Sequence, residues 1–126
     1  MLHQNQKFME QLNQVHLRGR VGNTQVQKVG EGQVCHFSVA TNYLTRTQEG
    51  SGIVEEVTWH NCTVWAGKKY PDLSVIGVGS GIDLLGRLRV RKYTGADDVV
   101  REVSEIVVTD FSIVPQSEPL KAESRL

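Results

Sequence analysis

The sequence predicts an all-β domain of five strands closed into a small barrel, with at most a short helix between strands three and four. Three observations carry that prediction. Apolar and polar residues alternate with a period of two along VHLRG, FSVATN, VTWHNCTVW and GRLRVRKY, the spacing of strands with two unlike faces. Glycine-bearing turns separate these stretches at VGEGQV, TRTQEGSG and TGADD. Helical periodicity is scarce, and a length of 126 residues suits one domain with one core.

The first strand is expected around Asn13–Gly22, where Val15, Leu17 and Gly19 alternate with His16, Arg18 and Arg20. Gly19 and Gly22 permit a sharp bend in it. After a turn at Gly30 and Gly32, a second strand runs from Val34 to Leu44, rich in sheet formers such as Phe37, Val39, Thr41 and Tyr43. The polar loop 45–52 leads into a third strand, Ile53 to Trp65, as a hairpin with a mobile tip. In AGKKYPDLSVIGVGSG a short helix is expected around Asp72–Val75, and GVGSG (77–81) reads as a flexible connection. A fourth strand spans Ile82 to Tyr93, a turn 94–98, and a fifth strand Val99 to Val114.

Five strands with a helix-length connection between the third and fourth is the order of a Greek-key barrel of the OB type. Closure also removes exposed sheet edges. The barrel domain is placed at 13–114, between an N-terminal extension (1–12) and a short polar tail (115–126) expected to be mobile. Phe8, Met9 and Leu12 fit one apolar helical turn.

Lys+Arg and Asp+Glu are both 14, so the net charge is zero and any affinity for phosphate rests on local clustering. No apolar run is long enough to cross a bilayer, and MLHQNQKFME lacks the apolar core of a secretory signal. A cytoplasmic location without membrane attachment is expected. Cys35 and Cys62 read as buried, reduced thiols.

The clustering is found on the fourth strand. Arg87, Arg89, Arg91 and Tyr93 occupy alternate positions and share a side, with no acid among them, while Leu88 and Val90 point into a core. A polyanion relieves the repulsion within such a row and releases counterions as it binds; the bland alternative is a solvated strand face. On the third strand Trp59, Asn61, Thr63 and Trp65 share one side, and Cys62 and Val64 fill the barrel from the other. An exposed indole offers a face on which any base stacks. The competing explanation is packing against a subunit or a loop. On the second strand His36, Ser38, Ala40 and Asn42 form a small or polar outer row. Together these rows fit a nonspecific single-strand binder, with charge following the backbone and rings taking the bases.

His60 and Cys62 point inward together, and His with Cys at strand spacing can bind zinc. However, no CxxC or HxxxH pair occurs and a closed site takes four ligands, so neither metal nor cofactor is expected. GVGSG lacks the lysine of a phosphate loop, and nothing places a nucleophile beside a base, so no catalysis is expected.

NQVHLRGRVG, FSVATN, VTWHNCTVWAG and GRLRVRKY, in this order and spacing, resemble the bacterial and mitochondrial single-stranded DNA-binding proteins over about Asn13 to Val114. The resemblance implies an OB fold, usually assembled as a homotetramer (a dimer is the other option), that binds single-stranded DNA in replication, recombination or repair. By position it implies stacking at Trp59, Trp65 and Tyr93 and basic contacts at Arg89 and Arg91. Arg87, Ser38 and Asn61 join these as candidate DNA contacts by sharing their faces. The resemblance also implies a subunit interface near His60 and along the first strand, with Val15 and Leu17. A further family stacking position falls at Thr45, with Tyr43 nearby. The chain ends at KAESRL without the acidic tip that recruits replication or repair proteins, which puts such recruitment in doubt. The alternative function is a primosomal-type OB adaptor acting mainly through protein contacts.

Overall fold

Five long strands carry the chain in this computed structural model, which describes residues 7–126. They are β1 (Val15–Val29), β2 (Gly32–Arg46), β3 (Ile53–Trp65), β4 (Gly81–Thr94) and β5 (Val100–Val114), followed by a two-residue β6 (Glu123–Ser124). The sheet order β1-β4-β5-β3-β2 is closed by pairing of β1 with β2. Within this ring only β3 and β5 run parallel. This is the five-stranded Greek-key barrel of the OB fold, as expected.

β1 runs on to Val29 instead of stopping near Gly22, because it serves two partners. Val15–Arg20 pair with β4, and Arg20–Val29 pair with β2. The register slips between Val21 and Thr24, so the strand bends at Gly22 and passes from one partner to the other.

The inward faces behave as their alternation predicts. Val21, Phe37, Val39, Cys62, Val64, Ile82, Leu84, Ile106, Val108 and Phe111 form one buried cluster, joined by Cys35. Leu73 and Ile76 complete it from the connection between β3 and β4. A short 3-10 turn, Leu73–Val75, sits where the short helix was expected, and the Asp72 carboxylate caps it by accepting from the Ser74 amide at 3.0 Å. The glycine segment expected to be a flexible connection is tied to β1: the Gly79 amide donates to the Val21 carbonyl and the Val21 amide to the Ser80 carbonyl. Tyr70 stacks on Phe111 with ring centroids 4.3 Å apart.

Three expectations need correction. Leu88 and Val90 do not enter the core; they are 46% and 54% exposed. β4 and β5 outrun the barrel there as a two-stranded arm, so the apolar side of the arm has no sheet facing it. Phe8, Met9 and Leu12 form no helical turn and are all exposed. The polar tail is not loose along its whole length: Glu123 and Ser124 pair with Tyr43 and Leu44 of β2, and the Arg125 amide donates to the Leu44 carbonyl. No helix among the described residues is long and apolar enough to cross a membrane.

Candidate nucleic-acid interface

Strand parity sets the site. With Cys62 and Val64 buried, the other side of β3 faces outward, and Trp59 and Trp65 are 60% and 55% exposed. Trp59 lies directly across from Ala40, and a side chain at Gly22 would collide with its ring, so two small residues make its place. Thr63 pairs with Val107, and Val107 with Arg87. Ladder partners share a face, so Arg87, Arg89 and Arg91 stand on the same wall as the outward side of β3. Tyr93 ends the row, 40% exposed.

Polar side chains fill the space between the rows. Asn61 is exposed and faces Ser38 across the ladder. The half-buried Ser38 hydroxyl accepts from the Asn23 amide at 3.1 Å and donates to Asn23 Oδ1 at 3.3 Å. These residues, with His36, Thr63, Arg91 and Glu105, line an open cleft of about 610 Å³. Tyr43 is half-buried and shares its parity with Thr41 rather than Ser38, so it does not join this row. Thr45 is also half-buried.

No acid lies within the β4 row itself, but one stands beside it on the neighbouring strand. Glu105 of β5 pairs directly with Arg89. Its Oε1 accepts from Arg89 Nε at 3.0 Å and Nη2 at 2.5 Å, and from Arg91 Nε at 3.1 Å. Its Oε2 accepts from the Thr63 hydroxyl at 2.8 Å. Thr63, expected on the outer surface, is only 4% exposed because this cluster covers it. Arg87 makes no ion pair among the described residues. The signal for Glu105 was in the hairpin. Thr94 faces Val100 across the TGADD turn, and counting outward equally on both strands brings Arg89 opposite Glu105.

Burial alone would raise the Glu105 carboxyl, but hydrogen bonds from Arg89 and Thr63 and the charges of Arg89 and Arg91 outweigh it. The group is held below the ordinary carboxylate range. Asp83 is lowered in the same way: burial opposes, while hydrogen bonds and charges from Arg18 and His16 prevail. A carboxyl depressed in the folded state stabilises it above the unfolded pKa, and this is lost as pH falls through the folded value. The melting temperature is therefore expected to fall in two stages, first below about pH 6.5, where the half-buried His60 with its lowered pKa protonates more readily in the unfolded chain, and then below about pH 4 as these carboxyls protonate. A thermal unfolding series that stays flat to about pH 3 would remove these pairs from the stability of the fold.

His60, expected to point inward with Cys62, is half-buried and shares a hydrogen bond of 2.9 Å with the Thr41 hydroxyl. Burial lowers its pKa, which favours the neutral ring. Burial pushes the Cys62 thiol up to about 12, so it stays protonated at neutral pH. Among the described residues no three His, Cys, Asp or Glu side chains gather as a metal site requires. Val15 and Leu17 are half-buried against the core. Between Val15 and Gly19, β1 pairs only with β4, and its other edge is unpaired among the described residues. A second groove, lined by Leu17, Trp59, His60 and tail residues such as Leu120, lies beside that edge.

An OB barrel with indoles, a phenol and guanidinium groups on one outer wall belongs to the class of nucleic-acid-binding modules. Residues 12–114 match the Single-strand binding protein family, and the chain belongs to that family. It is 34% identical over 107 residues to a Neisseria meningitidis protein named single-stranded DNA-binding protein, an alignment covering 82% of this chain and 60% of that one. It is 31% identical over 114 residues to the mitochondrial single-stranded DNA-binding protein of Danio rerio, covering 84% and 78%. The chain thus spans less than two thirds of the neisserial relative's length. Its fold is similar to that of the Plasmodium falciparum SSB in complex with ssDNA, with a TM-score of 0.73 at 23% identity, covering 86% of this chain and all of the other.

Proposed function

We propose that this chain is a noncatalytic module that binds single-stranded DNA with little sequence preference, serving replication, recombination or repair in the cytoplasm. The observation that carries this reading is the outward projection of Trp59 and Trp65 on the wall that also bears the arginine row. Trp59, Trp65 and Tyr93 stack on bases, and Arg87, Arg89 and Arg91 meet phosphates. Ser38 and Asn61 leave room for the strand between them. The chain acts as a homo-oligomer, a tetramer or a dimer, joined along the free edge of β1 with Val15, Leu17 and His60 at the contact. Family membership and the two relatives' names support the ligand, and the unpaired β1 edge supports the contact.

The test is a titration with single- and double-stranded oligonucleotides at two salt concentrations, on protein whose mass in solution is known. Oligothymidylate is expected to quench tryptophan emission, and the duplex is expected to bind far more weakly. Three arginines and one glutamate leave the row with two net positive charges. Its share of the slope of log K against log salt is therefore roughly −1.4 for single strands. Unchanged emission with no retention of the oligonucleotide at low salt would refute the function.

A further inference from the structure

We propose that Glu105 is a positioning residue that presets Arg89 and Arg91 as one paired phosphate clamp; this rests on the single-strand binding proposed above. Three guanidinium N–H groups converge on a single oxygen, Oε1. Two like charges are thereby held side by side in the absence of ligand. Each arginine carries five N–H donors in a fixed fork. Arg89 uses Nε and Nη2 on Glu105, and Arg91 uses Nε, so both Nη1 groups and the Arg91 Nη2 group stay unused by the carboxylate. The two arginine side chains are 44% and 51% exposed, whereas that of Glu105 is 5% exposed. The acid is thus the covered member of the cluster and the two arginines are its exposed members.

A phosphate does not displace this glutamate. Its second oxygen is fixed by the Thr63 hydroxyl, which also contacts His36 Nδ1 at 3.1 Å. Pulling the arginines away would strip the carboxylate of both its charged partners and leave it one neutral hydrogen bond, from Thr63. The phosphate instead adds to the outer donors of a fork that is already oriented, and the ordering cost of two long side chains is met before the strand arrives.

The clamp makes a prediction opposite in sign to simple charge compensation. Glu105→Gln adds one positive charge to the row, which alone would tighten binding to a polyanion. Loss of orientation is expected instead to weaken oligothymidylate binding about tenfold, the scale of one charge-assisted hydrogen bond. Thr63→Val changes no charge and lies at a buried position, and it is expected to weaken binding several-fold in the same direction. A neutral methylphosphonate oligothymidylate of the same length is expected to bind both variants as it binds the unaltered protein, since the stacking surface is untouched. Binding of DNA by Glu105→Gln equal to or tighter than that of the unaltered protein would overturn the clamp. Equal weakening of DNA and the neutral analogue would also overturn it, by showing a merely structural role. If the unaltered protein retains no oligonucleotide at low salt, the function itself fails, a result distinct from failure of the clamp.

Discussion

Trp65→Ala is expected to weaken oligothymidylate binding by about 1–3 kcal/mol, roughly 5- to 150-fold, the worth of one stacked base. Little of that loss should come from the fold. The ring is 55% exposed, so more than half of its surface already meets water and truncation opens no cavity. Unfolding stability is expected to move by less than about 1 kcal/mol. Trp59→Ala should lose affinity on the same scale, but it is the less clean test, because the ring rests over Gly22 at the bend of β1. If the two rings hold separate bases, the double variant should lose close to the sum of the single losses. Anisotropy of a labelled oligothymidylate measures all three without relying on the indole signal. Full affinity in Trp65→Ala would reassign that ring to contact with another protein.

The direction of each ring and guanidinium was legible because it follows from a two-residue period along one strand. The positions of Trp59, Trp65, Arg87, Arg89 and Arg91 needed nothing more than that count. What lies across from a residue is a different quantity, fixed by register between strands. Glu105 sits 16 residues from Arg89 in the chain and meets it only because β4 and β5 fold back at TGADD. Parity also says which way Leu88 and Val90 point but not whether anything covers that side. They were expected in a core, yet they lie on an arm that extends past the barrel. The same reasoning explains Thr63, which faces outward yet is buried, since its cover comes from long side chains on β4 and β5. The length of β1 was missed because the slip between Val21 and Thr24 breaks its alternation, and the mostly polar stretch that follows shows no apolar face.

The connection after β3 was the least legible segment, and it carries the largest expected effect on stability. Leu73→Ala should cost about 2–5 kcal/mol, as other fully buried leucine truncations do. Leu73 is 0% exposed and Ile76 1%, and both join the cluster formed by the inward residues of all five strands. A segment with three glycines within five residues invites a reading as slack chain. Leu73 and Ile76 fill part of the barrel interior that the strands leave open. Val78, in the same connection, is 70% exposed, and Val78→Ala should change stability by less than about 0.5 kcal/mol. The comparison separates a plug from a linker, since both substitutions lie five residues apart in one connection. Urea unfolding midpoints measure it, and equal small losses at both sites would show that the barrel holds its core without the connection. Well below the melting temperature, affinity for oligothymidylate is expected to stay within about twofold in Leu73→Ala. The wall that bears the indoles and arginines is built by strands whose ladders do not pass through this connection.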